Sequence, residues 1–175
     1  MIDFQVMNPD QATKLKEIDR SEYIDLIYQM QDGKLVETSA GHECPSWNEE
    51  LLREMEDRFL YELQNGGTAF GAFDGNRLIG FGVLAHQFRG EKQDRLQIDL
   101  MYVSRSYRRQ GIGTSILTRL EEEARTRGAR YLYISSTETR SAVSFYKSMG
   151  SRITKEVDEE LFQKEPLDIH MLKEL

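Results

Sequence analysis

Cysteine is nearly absent from this chain: Cys44 is the single one among 175 residues. An internal disulfide framework is thereby excluded, and a reducing compartment fits. Proline is almost as scarce, with three, and no run rich in Ser, Gly and Pro suggests a linker. No stretch of 18 apolar residues occurs, so no membrane span is expected. The opening Met1-Ile2-Asp3-Phe4-Gln5 lacks a basic region followed by an apolar one, so no signal peptide is expected and the cytoplasm is the plain location. Basic charge is also in deficit, since 23 Lys and Arg against 30 Asp and Glu leave a net −7. Bulk nucleic-acid binding wants the opposite balance. Of the histidines, His42 and His170 offer no metal-ligand spacing, and no metal is expected.

What is present suits one globular domain, with 39% hydrophobic and 30% charged residues. Alternation predicts a strand over Ile2–Val6. Leu15, Ile18, Ile24, Ile27 and Tyr28 recur at helical intervals and predict two short helices between Ala12 and Met30, broken near Asp19-Arg20-Ser21. The stretch from Asp32 to Trp47 has no clear period and reads as loop, with an irregular strand around Leu35-Val36. Ser46 stands as a helix cap with Glu49 three residues on, ahead of an apolar face from Leu51 to Leu63 that Gly66-Gly67 ends. Ala69–Phe73 and Leu78–Leu84 flank Asp74-Gly75-Asn76 as a hairpin, and Leu96–Val103 reads as a further strand. A helix follows from Ile112, with Gly128 at its C-cap, then a strand at Tyr131–Ile134 and a short helix through Ala142 and Tyr146. Two final strands, near Arg152–Val157 and Leu167–Leu172, are expected to join through an acidic turn at Asp158-Glu159-Glu160. The order predicts an α+β fold with a central mixed, mostly antiparallel sheet flanked by helices and one parallel crossover.

The local basic cluster of this acidic chain falls at Arg105, Arg108 and Arg109, where Arg108-Arg109-Gln110-Gly111-Ile112-Gly113-Thr114 links a strand to a strongly amphipathic helix. Glycines let backbone approach a ligand closely, and the helix N-terminus offers free N–H groups to an anion. The ligand predicted is a phosphate-bearing one. A Walker loop would need a lysine near Thr114-Ser115, and a dinucleotide fingerprint would need glycine where Ile116 stands.

These residues resemble the GNAT superfamily of N-acetyltransferases. Its signature, Gln or Arg followed by x-x-Gly-x-Gly/Ala, is matched by Arg108, Gly111 and Gly113, with Leu100–Tyr107 as a similar lead-in. Downstream, Ala142, Phe145, Tyr146 and Gly150 match a second motif, Asn-x-x-Ala-x-x-Phe-Tyr-x-x-x-Gly, except that Thr139 replaces the asparagine. The strand and helix order agrees from about Ala69 onward. The resemblance implies a single domain over 1–175, with about 1–65 shaping an acceptor pocket and about 66–175 holding acetyl-CoA as co-substrate.

By that resemblance, backbone groups of Met101, Tyr102 and Val103 pair with the pantetheine arm. Amides among Arg109, Gln110, Gly111, Ile112, Gly113 and Thr114, together with Arg108, hold the pyrophosphate. Thr139 and Ala142 complete the cofactor contacts, and Tyr146 stands near the thioester sulfur as proton donor. A glutamate that some members carry on the strand falls here at Gln97, which leaves Asp99, two residues on, as the candidate base. Glu22, Glu37, His42 and Glu43 are further candidates for the acceptor pocket. Transfer is expected to run directly to a primary amine of a small molecule, so Cys44 is not expected to act as a nucleophile. A protein N-terminal or lysine acetyltransferase and a non-catalytic acyl-CoA sensor are the alternatives, and a homodimer is left open.

Overall fold

The computed structural model describes residues 1–175. Seven strands form one sheet in the order β1-β4-β5-β6-β7-β9-β8: β1 Ile2–Val6, β4 Thr68–Asp74, β5 Arg77–Arg89, β6 Arg95–Val103, β7 Tyr131–Ser136, β8 Arg152–Ile153 and β9 Ile169–Glu174. Every neighbouring pair is antiparallel except β6 and β7, the crossover between which contains helix α2, Ile112–Thr126. Helix α1, Glu49–Gln64, and a 3-10 helix, Pro9–Glu17, cover one face, where Leu15, Met55 and Phe59 pack with Leu78, Phe81 and Val83. On the other face Ile112, Ile116, Leu117 and Leu120 of α2 pack with Ile79, Leu84 and Leu96, joined by Val143 and Tyr146 of α3, Arg140–Ser148.

The seating of α2 depends on two glycines of β5. A Cβ on Gly82 would lie 2.8 Å from both Ile116 Cγ2 and Leu120 Cδ1, and one on Gly80 would lie 3.3 Å from Ile112 Cγ2. The helix therefore rests directly on backbone, which fixes where its N-terminus points. Gly128 adopts φ +90° just past the helix end, as its predicted C-cap role requires.

Three expectations need correction. The second helix expected before Met30 is a strand, β2 Glu22–Gln31, and most of the loop expected over Asp32 to Trp47 is its partner, β3 Lys34–Cys44, joined across a tight Asp32-Gly33 turn in which both residues have positive φ (51° and 76°). Asp-Gly between strands is a hairpin signal. It was masked because a register shift between Ile24 and Leu26 interrupts the two-residue alternation and leaves spacings that imitate a helix. Secondly, the cap of α1 is Asn48, whose Oδ1 accepts from Leu51 N at 2.8 Å. Ser46 instead accepts from Arg20 N and donates to Ile18 O. Thirdly, the acidic segment near 158–160 is no turn between strands but the start of α4, Glu159–Lys164, capped by Asp158 onto Leu161 N at 3.1 Å. Carboxylates belong at a helix N-terminus, where they meet free amides and the positive end of the dipole.

Gly82→Val is expected to lower unfolding free energy by about 1–3 kcal/mol, the usual cost of overpacking a filled core. Urea denaturation measures it, and an unchanged midpoint would show that α2 does not need the glycine.

Candidate active site

Parallel strands β6 and β7 are in register only from Arg95↔Tyr131 to Ile98↔Ile134, although β6 runs on to Val103 and β7 to Ser136. Beyond Ile98 the strands part. Residues Leu100–Val103 keep β5 on one side, with Met101 opposite Gly82, and have no strand on the other. A wedge results in which the edge of β6 has no strand partner, and such an edge calls for hydrogen-bond partners, one of which Arg108 Nε supplies to Val103 O. Residues 19–28 run across the far ends of both walls. Asp19 O accepts from Arg105 N and Asp19 N donates to Ser104 Oγ on the β6 side. Tyr28 N donates to Glu138 O, and Ile27 bridges Thr139, on the β7 side.

At the end of the β6 wall lies the glycine loop. Arg109 (φ 61°) and Gly111 (φ 81°) are left-handed, and a Cβ on Gly111 would meet nothing within 4 Å. The loop thus presents open space before the first turn of α2, where amides are free and the dipole end is positive. Gly113 sits against the Phe145 ring, where a Cβ would lie 3.3 Å from Cε1. The three arginines diverge. Arg109 is exposed and free of salt bridges, whereas Arg105 is paired with Glu43. The guanidinium of Arg108 is committed to the protein, donating to Val103 O (2.8 Å), Ser21 O (2.8 Å) and Asp19 O. Its side chain ties the crossing segment to β6 rather than reaching into the loop.

On the α1 face the wedge opens into a cleft of about 900 Å³. Its lining includes Gln97, Asp99 and Tyr102 of β6, Ser135 of β7, and residues of α1 and α4. Eight carboxylates against four Lys and Arg make it net negative. Asp99 and Gln97 share this face, as alternation requires. Arg58 Nη2 donates to Asp99 O at 2.9 Å and to Asp99 Oδ1 at 3.1 Å. Burial raises the pKa of Asp99, and Arg58 offsets only part of that. Tyr102 stacks on Phe81 and meets the edge of Trp47. Tyr146, 9% exposed on α3, has its pKa raised by burial first and by Tyr102 second, so its phenol keeps its proton at neutral pH.

Thr139, at the position of the missing asparagine, caps α3 by accepting from Ala142 N at 3.4 Å. Glu22, Glu37, His42 and Glu43 line no part of the cleft: Glu43 pairs with Arg105, and Glu22 accepts from Ser141. Cys44 is also outside it, its thiol near Pro45 O. The sequence reading missed Arg58, Ser135 and Asp168. Arg58 could have been found as a cation on a largely acidic helix, but nothing local marks the other two. Ser135 Oγ donates to Asp168 Oδ2 at 2.8 Å, and burial pushes the Asp168 pKa up to about 7.

The model of the acetyltransferase (GNAT) family matches residues 27–150. No curated protein matches the chain by sequence. Among solved structures, a nourseothricin acetyltransferase is similar at 20% identity and a TM-score of 0.74, covering 99% of this chain and 98% of its own. A Bacillus anthracis strain Ames protein assigned as a streptothricin acetyltransferase, solved with acetyl coenzyme A, is similar at 16% identity and 0.74, over 100% and 99%. The PaiA N-acetyltransferase of Thermoplasma acidophilum, solved with coenzyme A, is similar at 17% identity and 0.65, over 100% and 99%. At these identities the likeness carries the fold.

Asp168 makes stability depend on pH. Its folded pKa, about 7, lies above the unfolded 3.8, so folding retains a proton that the unfolded chain gives up. That contribution is complete below pH 3.8 and is lost as pH rises through 7. The expected outcome is a melting temperature that falls between pH 5.5 and 8 in the wild type and falls less in Asp168→Asn, measured by thermal melts across that range. Parallel curves for the two proteins would contradict the assignment.

Proposed function

Since the chain belongs to the acetyltransferase (GNAT) family, we propose that it moves the acetyl group of acetyl-CoA directly to a primary amine of a small molecule. The observation that carries this reading is the parting of β6 from β7, with the open glycine loop at the end of one wall. The residues present fit the co-substrate. The edge of β6 over Met101, Tyr102 and Val103 has no strand beyond it, and the groups of Met101 and the Val103 N–H that alternation turns outward suit the amides of a pantetheine arm, while the free amides from Arg109 to Thr114, with the Arg109 guanidinium, suit a pyrophosphate. Arg108 holds the end of β6 to the crossing segment, so its part is to position that edge. Thr139 and Ala142 form the first turn of α3 beside the wedge.

Acetyl-CoA supplies an activated thioester. The chain supplies a place for the amine, a donor for the oxyanion and a proton for sulfur. The Val103 N–H, on β6, is the oxyanion donor in this account. Tyr146 protonates the departing sulfur: it is buried, carries its proton at neutral pH and lies on the second motif. Asp99 is held by Arg58 within a lining whose net negative charge draws a cationic acceptor into the cleft. The net negative lining favours a small cationic amine over an acidic or neutral acceptor. The position of Cys44 outside the cleft supports direct transfer.

Tyr146→Phe tests the reading. It keeps the ring and removes the donor, so kcat is expected to fall about 10²–10⁴-fold while the Kd for acetyl-CoA changes little. Thiol release at saturating substrates, beside a thermal melt, measures this. A variant that melts lower yet turns over at the wild-type rate would make Tyr146 a packing residue.

A further inference from the structure

Two cavities of this molecule have one lining residue in common. The first is the acidic cleft under α1. The second, about 940 Å³, lies between the tip of the β2–β3 hairpin and the α4 segment, where Met30, Val157, Phe162 and Leu167 give it an apolar lining. Asp168 is the residue common to both linings. It stands just before β9, and its place is set from β7: Ser135, whose Oγ holds Asp168 Oδ2 at 2.8 Å, is the first residue past the last β6–β7 pair, Ile98↔Ile134. Asp99 is the first residue past the same pair on β6. The two carboxylates thus flank the point at which the strands part, one on each wall.

Their partners divide the roles. Asp99 is in an ion pair with Arg58, which also bonds its carbonyl and holds its charge in place. Asp168 has a neutral hydroxyl as its side-chain donor and no salt bridge. We propose that Asp168 holds the acceptor's ammonium at the junction of the two cavities and takes its proton. This rests on the acetyl-transfer reading above and adds the base to it.

The charged surroundings agree with such a role. Desolvation is the largest influence on Asp168, Ser135 opposes it, Glu165 of the segment after α4 and Glu138 of the β7–α3 connection raise the pKa further, and Arg58 of α1 lowers it. His170 of β9 is kept neutral by burial, and Lys164 of α4 shares the first cavity. Tyr102 of β6 titrates far above neutrality. A carboxyl poised at about 7 is ionised in part at neutral pH and is basic enough to accept from an ammonium. In the step, the Asp168 carboxylate takes one proton from the ammonium and later releases it to solvent. The freed nitrogen pair bonds to the acetyl carbon, the carbon–sulfur bond breaks, and the sulfur takes the Tyr146 proton. Tyr146 recovers a proton from the nitrogen, which leaves an amide and a thiol. The apolar second cavity would take the carbon skeleton of the acceptor, so an amine with an aromatic or alkyl body is favoured over a bare polyamine.

The test uses thiol release from acetyl-CoA with benzylamine, tyramine, 1,4-diaminobutane and nourseothricin as acceptors, with calorimetry for acetyl-CoA binding. Wild-type kcat/KM is expected to rise with pH through about 7. In Asp168→Asn it is expected to fall about 10²–10⁴-fold and to lose that limb, with acetyl-CoA affinity unchanged. Ser135→Ala removes the donor that favours the charged form, so the limb should move to higher pH, a shift that a purely structural role would not produce. Asp99→Asn should keep the limb. Asp168→Asn turning over within about twofold of wild type with its limb intact, or the limb vanishing in Asp99→Asn instead, would overturn the proposal and leave the transfer reading standing. No thiol release by the wild type with every amine would overturn both.

Discussion

Parallel strands that share four registered pairs and then diverge leave peptide groups that need partners, and the rest of this molecule is arranged around that need. β6 stays paired with β5 through Val103, but its register shifts between Ile98 and Leu100, where the divergence begins. What holds β7 adds to it. Ser135 and Ser136 still pair with His170 and Ile169 of β9, which draws the end of β7 toward the other edge of the sheet. Helix α2, resting on Gly80 and Gly82, spans the crossover and brings its N-terminus to the end of the β6 wall. The crossing segment over residues 19–28 then ties the two walls together through Ser104, Arg105 and Arg108 on one side and Glu138 and Thr139 on the other.

Charge is distributed to the same end. A chain of net −7 keeps a free cation, Arg109, and open amides at the glycine loop, while the cleft on the opposite face is lined by twice as many carboxylates as Lys and Arg. An anion and a cation therefore have separate favourable surfaces, the glycine loop and the acidic cleft. Such fields act on encounter and orientation more than on net affinity. Burial keeps the Tyr146 phenol protonated and raises Asp168 to about 7, so the two groups hold their protons over different pH ranges.

Much of this was legible in the residues. The run Arg108–Thr114 carries its own geometry: glycines where the backbone must be left-handed or close to Phe145, followed at once by an amphipathic helix. The hairpin at Asp74-Gly75-Asn76 and the mixed sheet were likewise readable, because alternation and turn chemistry are local signals. The β2–β3 hairpin was not, since one register shift disguised its alternation and its true anchor is the distant pair Ile27↔Thr139. Arg108 read as a phosphate ligand because a guanidinium looks the same in sequence whether it meets phosphates or carbonyls. Ser135 and Asp168 are 33 positions apart, and nothing short of the fold brings them together.

The central claim is that the parted strands and the glycine loop together receive coenzyme A. Amide hydrogen exchange with and without saturating coenzyme A tests it residue by residue. The account predicts slower exchange in two places at once, the Gly111–Thr114 amides and the amides within Met101–Val103 on the free edge of β6. Protection at the loop alone, or protection confined to the β2–β3 hairpin and α1 while coenzyme A binds, would contradict it.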